Sequence, residues 1–263
     1  MTWKRGVIGG VIALVVGVGG FRLLSDGRGP SAPPAHGDRD VPAESTAASA
    51  RPRPDDPRAF AKLVFDDVQD TFAALMGARY RRAELALYTG RTKAEGCGFS
   101  KPVTGPFHCP APQRVYIDLA FLEQLSQRAG ASGDLARAYV IAHETGHHVQ
   151  HLTGLGGRVA QLAKSERLGA DGTTVRIELM ADCLAGVWAH GTRQRGLIEA
   201  GDVEATLRAA ASIVDDALDR DATGVVRPET FSHGTLRQRV RWFGKGRESG
   251  RVEDCNPFIG HAP

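Results

Sequence analysis

Apolar residues return at helical spacing in several stretches of the chain. In RAFAKLVFDDVQDTFAALM (58–76), Phe60, Leu63, Val64, Val68, Phe72 and Leu75 recur every three or four residues until Gly77 stops the run. The same pattern predicts helices over AFLEQLSQRAG (120–130), closed by Gly130, and LARAYVIAHETGHHVQHL (135–152), with Asp134 as cap and TGLGG as stop. A fourth helix covers TTVRIELMADCLAGVWAHG, with Thr173 or Thr174 as its N-cap, and two more helical stretches follow, GDVEATLRAAASIVDDALDR and RPETFSHGTLRQRVRWFGKG. Between the first two helices the chain instead reads as short strands, AELALYTG (83–90) and QRVYIDL (113–119). In the second, Val115 and Ile117 alternate with Tyr116 and Asp118, as on a half-exposed strand. The expected class is therefore α+β and mostly helical, with a small sheet ahead of the central helix.

The first 57 residues show neither period. Lys4 and Arg5 precede an apolar run, Val7 to Leu24, which as a helix at about 1.5 Å per residue is long enough to cross a hydrocarbon layer. Trp3 suits the near interface, and Arg22 can snorkel at the far end. A cleaved signal peptide is the competing reading; no convincing A-x-A site follows, which favours an uncleaved anchor. Residues 25–57 are rich in Pro, Ala, Asp and Ser and lack any apolar period, so they read as a disordered tether, with His36 a solvated linker residue. The organisation expected is an anchor over 1–24, a linker over 25–57 and a folded domain over 58–263. The basic N-terminus would stay in the cytoplasm and the domain would lie outside it.

Composition narrows the function classes. The chain has 263 residues, of which 42% are hydrophobic and 24% charged, enough for one globular domain with appendages. Its net charge of +3 is spread among interspersed arginines and aspartates, so no nucleic-acid partner is expected. Cys97, Cys109, Cys183 and Cys255 agree with an oxidising location and allow three pairings. Cys97–Cys109 would close the Gly/Pro-rich segment CGFSKPVTGPFHC, which leaves Cys183–Cys255 to tie the C-terminal tail to the central helices.

The chemistry concentrates in AHETGHHVQH (142–151). His143 and His147 are four apart on a helix and project together, and HETGH is an H-E-x-x-H match: two imidazoles for Zn²⁺ with Glu144 beside them as general base. His147 and His151 are a rival pair at the same spacing, but no glutamate follows His147; His148 and His151 read as a polar flank. A catalytic zinc takes three protein ligands and keeps one open position. ELMAD offers Glu178 as the third ligand, with Asp182 one turn on to accept the Nδ1–H of a ligand histidine. Gly146 costs about 1 kcal/mol relative to Ala in a helix, which points to close approach by a neighbour, the Glu178 helix being the natural one.

KLVFDDVQDTFAALMG, CGFSKPVTGPFHCP, VYIDLAFLEQL, GDLARAYVIAHETGHHVQ, RIELMADCLAGVWA and FSHGTLRQRVRWF together resemble the putative neutral zinc metallopeptidase family, a bacterial group of membrane-anchored zincins. The resemblance spans roughly 60–258. It implies a zincin-like fold and a gluzincin-type set in which His143, His147 and Glu178 ligate one catalytic zinc and Glu144 is the base. His151 departs from the pattern. By analogy with other gluzincins, His233 in FSHGTLRQR, or else Tyr116, would donate to the developing oxyanion. The expected reaction is hydrolysis of a peptide or protein by a zinc-activated water, the substrate adding as a strand to the sheet edge carrying Tyr116. The competing class is a zinc-stabilised, membrane-tethered binding module without turnover. The sequence does not set the oligomeric state.

Overall fold

The computed structural model describes residues 55–97, 102–130, 133–155, 172–195, 203–210 and 233–258. The expected membrane anchor and nearly all of the tether lie outside these residues, as does 211–220 of one expected helix. Among the described residues no helix is long and apolar enough to cross a membrane.

Helix α1, Pro57–Met76, starts where Asp56 caps two backbone N–H groups and Pro57 supplies the first-turn φ. Its stripe of Phe60, Val64, Val68 and Phe72 is buried as the spacing predicts, but Leu75 is 45% exposed while Phe65 and Met76 turn inward. Gly77 ends the helix at a φ of 57°.

The sheet has three strands, β1 (Glu84–Tyr88), β2 (Phe107–Cys109) and β3 (Arg114–Asp118), in the order β1-β3-β2. β1 runs parallel to β3 and β2 antiparallel to it. Two expectations are corrected. β3 is central, so Tyr116 is not on an edge, and it is not half-exposed, since Val115, Tyr116, Ile117 and Asp118 are all buried. One side of β3 joins the main core. Tyr116 faces a smaller cluster with Ala94 and Cys109, where it stacks on Phe107 at 4.6 Å.

Asp118 ends β3 and caps helix α2, Leu119–Ala129, through Ala120 N–H. Its carboxylate also accepts Gly90 N–H at 2.9 Å and Gly105 N–H at 3.2 Å, which draws two loops together. Helix α3, Gly133–Leu152, follows; Asp134 lies inside its first turn, paired with Arg137, rather than capping it. Helix α4 is Thr173–Arg195, α5 covers 203–210, and α6 is Leu236–Ser249, opened by a Thr235/Gln238 capping box.

The contacts around α4 are close enough to need glycine. A Cβ on Gly146 of α3 would lie 3.2 Å from Ala181 Cα and 3.3 Å from Leu184 Cβ, so the neighbour is the Glu178 helix, as expected. Against α6 the contact is tighter: a Cβ on Gly186 would fall 2.1 Å from Phe243 O, and one on Gly246 would fall 1.9 Å from Cys183 O. Disulfides join Cys97 to Cys109 and Cys183 to Cys255, the pairing expected from the sequence. The second ties α4 to the 3-10 turn Val252–Cys255 after α6.

Candidate metal centre

α3 and α4 pack side by side, and their facing sides carry the polar groups. One turn of α3 presents His143 and His147, and α4 presents Glu178. Ligand atoms of these three all lie within 4.8 Å of one another, the one such His/Cys/Asp/Glu group among the described residues. His143 Nε2 is 3.2 Å from Glu178 Oε2, and His147 Nε2 is 3.7 Å from Glu178 Oε1.

The other ring nitrogens are engaged. Asp182, one turn beyond Glu178, sits with Oδ1 3.0 Å from His143 Nδ1. Gln150, three residues after His147, places Oε1 3.0 Å from His147 Nδ1, and its own amide donates to Ile177 O at 2.7 Å. Each Nδ1 therefore has an acceptor, and each Nε2 turns to the same carboxylate. Two imidazole nitrogens plus a carboxylate, with both rings fixed from behind, is a donor set that fits Zn²⁺.

The local field also suits a cation. Burial opposes the charged imidazolium, yet Asp182 and Glu178 outweigh it and carry His143 up to about 10. His147 is also raised, against burial, chiefly by the Glu178 charge. Burial works against ionised Glu178, but His147 and then His143 hold it well below the usual carboxylate range. Asp182 is lowered against burial mainly by Arg239.

His143, His147 and Glu178 line a cleft of about 890 Å³, together with Glu144, His108, His151 and His233. Glu144 is buried next to His143 in sequence and opens onto the cleft. His233 is brought in, its Nε2 3.8 Å from Glu178 Oε2, and burial leaves it below its ordinary pKa. Tyr116 is not brought in; it lies in the smaller cluster beyond β3. His151 also faces the cleft, but its ring lies 5.9 Å from His108 rather than with the Glu178 group.

A model of the family described as putative neutral zinc metallopeptidase matches residues 2–258. The chain belongs to this family. Over 259 residues, 97% of this chain and 87% of the relative, it is 39% identical to the uncharacterized protein YpfJ of Escherichia coli K12. It is also 39% identical over 190 residues to the uncharacterized protein Rv2575 of Mycobacterium tuberculosis H37Rv, covering 68% of this chain and 63% of that protein. No solved structure matches it. Family members share the zinc peptidase description, and the histidine–glutamate group described above is where this member has the donors for zinc.

Sequence reasoning passed over three residues that complete the centre: Tyr139, Gln150 and Arg239. Two carried a signal. Tyr139 precedes His143 by four and Gln150 follows His147 by three, so each shares a helix face with that histidine. Arg239 carried none, because Arg237 and Arg241 flank it in the same helix and only the fold shows that it is the buried one of the three.

Proposed function

We propose that this chain is a membrane-tethered, zinc-dependent endopeptidase whose catalytic domain works outside the cytoplasm. The observation that carries the reading is the convergence of His143 Nε2, His147 Nε2 and Glu178 in a cleft that Glu144 also enters. His143, His147 and Glu178 would hold the metal. A zinc ion there supplies Lewis acidity toward the scissile carbonyl and lowers the pKa of water to about 7 in sites of this type. Glu144 takes the proton from the attacking water and returns it to the departing amine. His233 donates to the oxygen on which negative charge develops. The substrate backbone lies along β2, an outer strand of the sheet whose Phe107 and His108 line the cleft. The compartment is supported by the two disulfides and by the basic, then apolar, N-terminal run.

The test is cleavage of a denatured protein by the purified chain, with and without a chelator, beside Glu144→Gln. The expected variant keeps full zinc content and loses at least about a hundredfold in rate, the ordinary worth of a general base. Cleavage by Glu144→Gln at the parent rate removes the base assignment. A zinc-loaded parent that cleaves nothing leaves the binding module instead.

A further inference from the structure

Asp182 is fully buried and crowded with donors. Its Oδ1 accepts from Tyr139 Oη–H, from His143 Nδ1 at 3.0 Å and from Arg239 Nη2 at 3.2 Å; its Oδ2 accepts from Arg239 Nε at 3.0 Å. Arg239 Nη2 also donates to Tyr139 Oη at 2.5 Å, closing a ring of three side chains from α3, α4 and α6. We infer that Arg239 is a positioning residue for the metal centre: its two-pronged grip on Asp182, braced by Tyr139, fixes the His143 ring with Nε2 toward the metal.

Simple adhesion between α4 and α6 does not account for it. The two helices already meet backbone to backbone at Gly186 and Gly246, and Cys183–Cys255 binds α4 to the turn after α6. Replacing a buried ion pair by apolar side chains of similar volume is often neutral or stabilising, so packing alone would be served as well by apolar residues at both 182 and 239. The arrangement uses what a guanidinium has and an ammonium lacks, parallel N–H groups in a rigid plane that lock the rotation of a carboxylate. A carboxylate free to rotate would let the His143 ring turn, and outer partners of this kind are commonly worth ten- to a hundredfold in metal affinity.

The inference rests on the His143–His147–Glu178 reading and is tested by zinc affinity, measured by chelator competition on the full chain. Four proteins form the cycle: parent, Arg239→Met, Asp182→Asn and the double variant. If Arg239 acts through Asp182, each single variant weakens zinc binding by about tenfold or more. The double variant is then no weaker than the weaker single, because the second loss removes nothing that is still in place. Unchanged affinity in Arg239→Met, or a double variant showing the product of both losses, overturns the role of Arg239. Should thermal unfolding show Arg239→Met to be unfolded, Tyr139→Phe gives the answer, since it deletes one hydroxyl of the ring. It is expected to weaken zinc about two- to fivefold in the parent and not at all with Asp182→Asn; equal weakening in both backgrounds overturns the inference. A parent that takes up no zinc removes the centre itself, and the positioning role with it.

Discussion

Helix α3 carries two groups of histidines on two of its faces, and they live in opposite electrostatic surroundings. His143 and His147 look toward α4, where Glu178 and Asp182 wait. His148 and His151 look toward β2, where they meet His108, with ring centroids 5.5 and 5.9 Å away. His148 Nε2 donates to Arg81 O at 2.6 Å, and the ring stands edge-on to Tyr80. Carboxylates push the first group up, His143 to about 10. Burial pushes His148 down against its bond to Arg81 O, and on the facing strand burial, followed by His147, His148 and His151, pushes His108 down to about 3. Residue type and helix are shared; what differs is the element opposite. An imidazole here becomes a candidate metal ligand because α4 brings an acid to it, not because histidines are plentiful.

The comparison breaks most sharply if that acid is removed. Glu178→Ala would turn the first group into something like the second, two imidazoles without a facing carboxylate. Zinc affinity is expected to fall by more than about a hundredfold, beyond the loss of an outer partner. Elemental analysis after dialysis against a weak chelator reads this directly. Unchanged metal content would eliminate Glu178 as a ligand and with it the contrast between the two groups.

Much of this was legible in the sequence, for reasons of period. A 3.6-residue repeat puts His143 beside His147 and Glu178 beside Asp182 whatever the tertiary fold, so both halves of the centre could be read before their helices were brought together. Gly146 even marked the contact between them. Arg239 was out of reach because its partner is 57 positions away and the register of α6 on α4 is set by backbone contact at Gly186 and Gly246. The sheet misled for a different reason. Alternation along 115–118 suggested one wet face, but the Cys97–Cys109 segment folds back as β2 and covers Tyr116 with Phe107. A three-residue strand inside a Gly/Pro-rich stretch has no period long enough to read.

A smaller effect sharpens the comparison from the other side. His151 stands at the spacing that would pair it with His147, yet its ring keeps company with His108. His151→Ala is expected to keep one equivalent of zinc with affinity within about twofold of the parent, since neither a ligand nor an outer acceptor is lost. Loss of metal in this variant would move the ligand pair along the helix to His147 and His151.

The last effect is read in stability against pH rather than in metal binding, and here the two sides of α3 should have opposite signs in the metal-free protein. His143 has a folded-state pKa raised from 6.5 to about 10. Its contribution is fully present below about 6.5, the unfolded value, and is lost as pH rises through about 10. His108 is lowered from 6.5 to about 3. Its neutral form suits the fold, so its contribution is complete above about 6.5 and fades as acid protonates the unfolded chain first, down to about 3. The pH dependence of unfolding of metal-free parent and His108→Leu separates this from the protein's other titrating groups, which are common to both. The variant should lose less stability than the parent between about pH 6 and pH 4, whatever its stability at neutral pH, because leucine takes up no proton when the chain unfolds. Parallel acid limbs in the two proteins would mean that His108 titrates alike folded and unfolded, and that the β2 side of the helix is no drier than water.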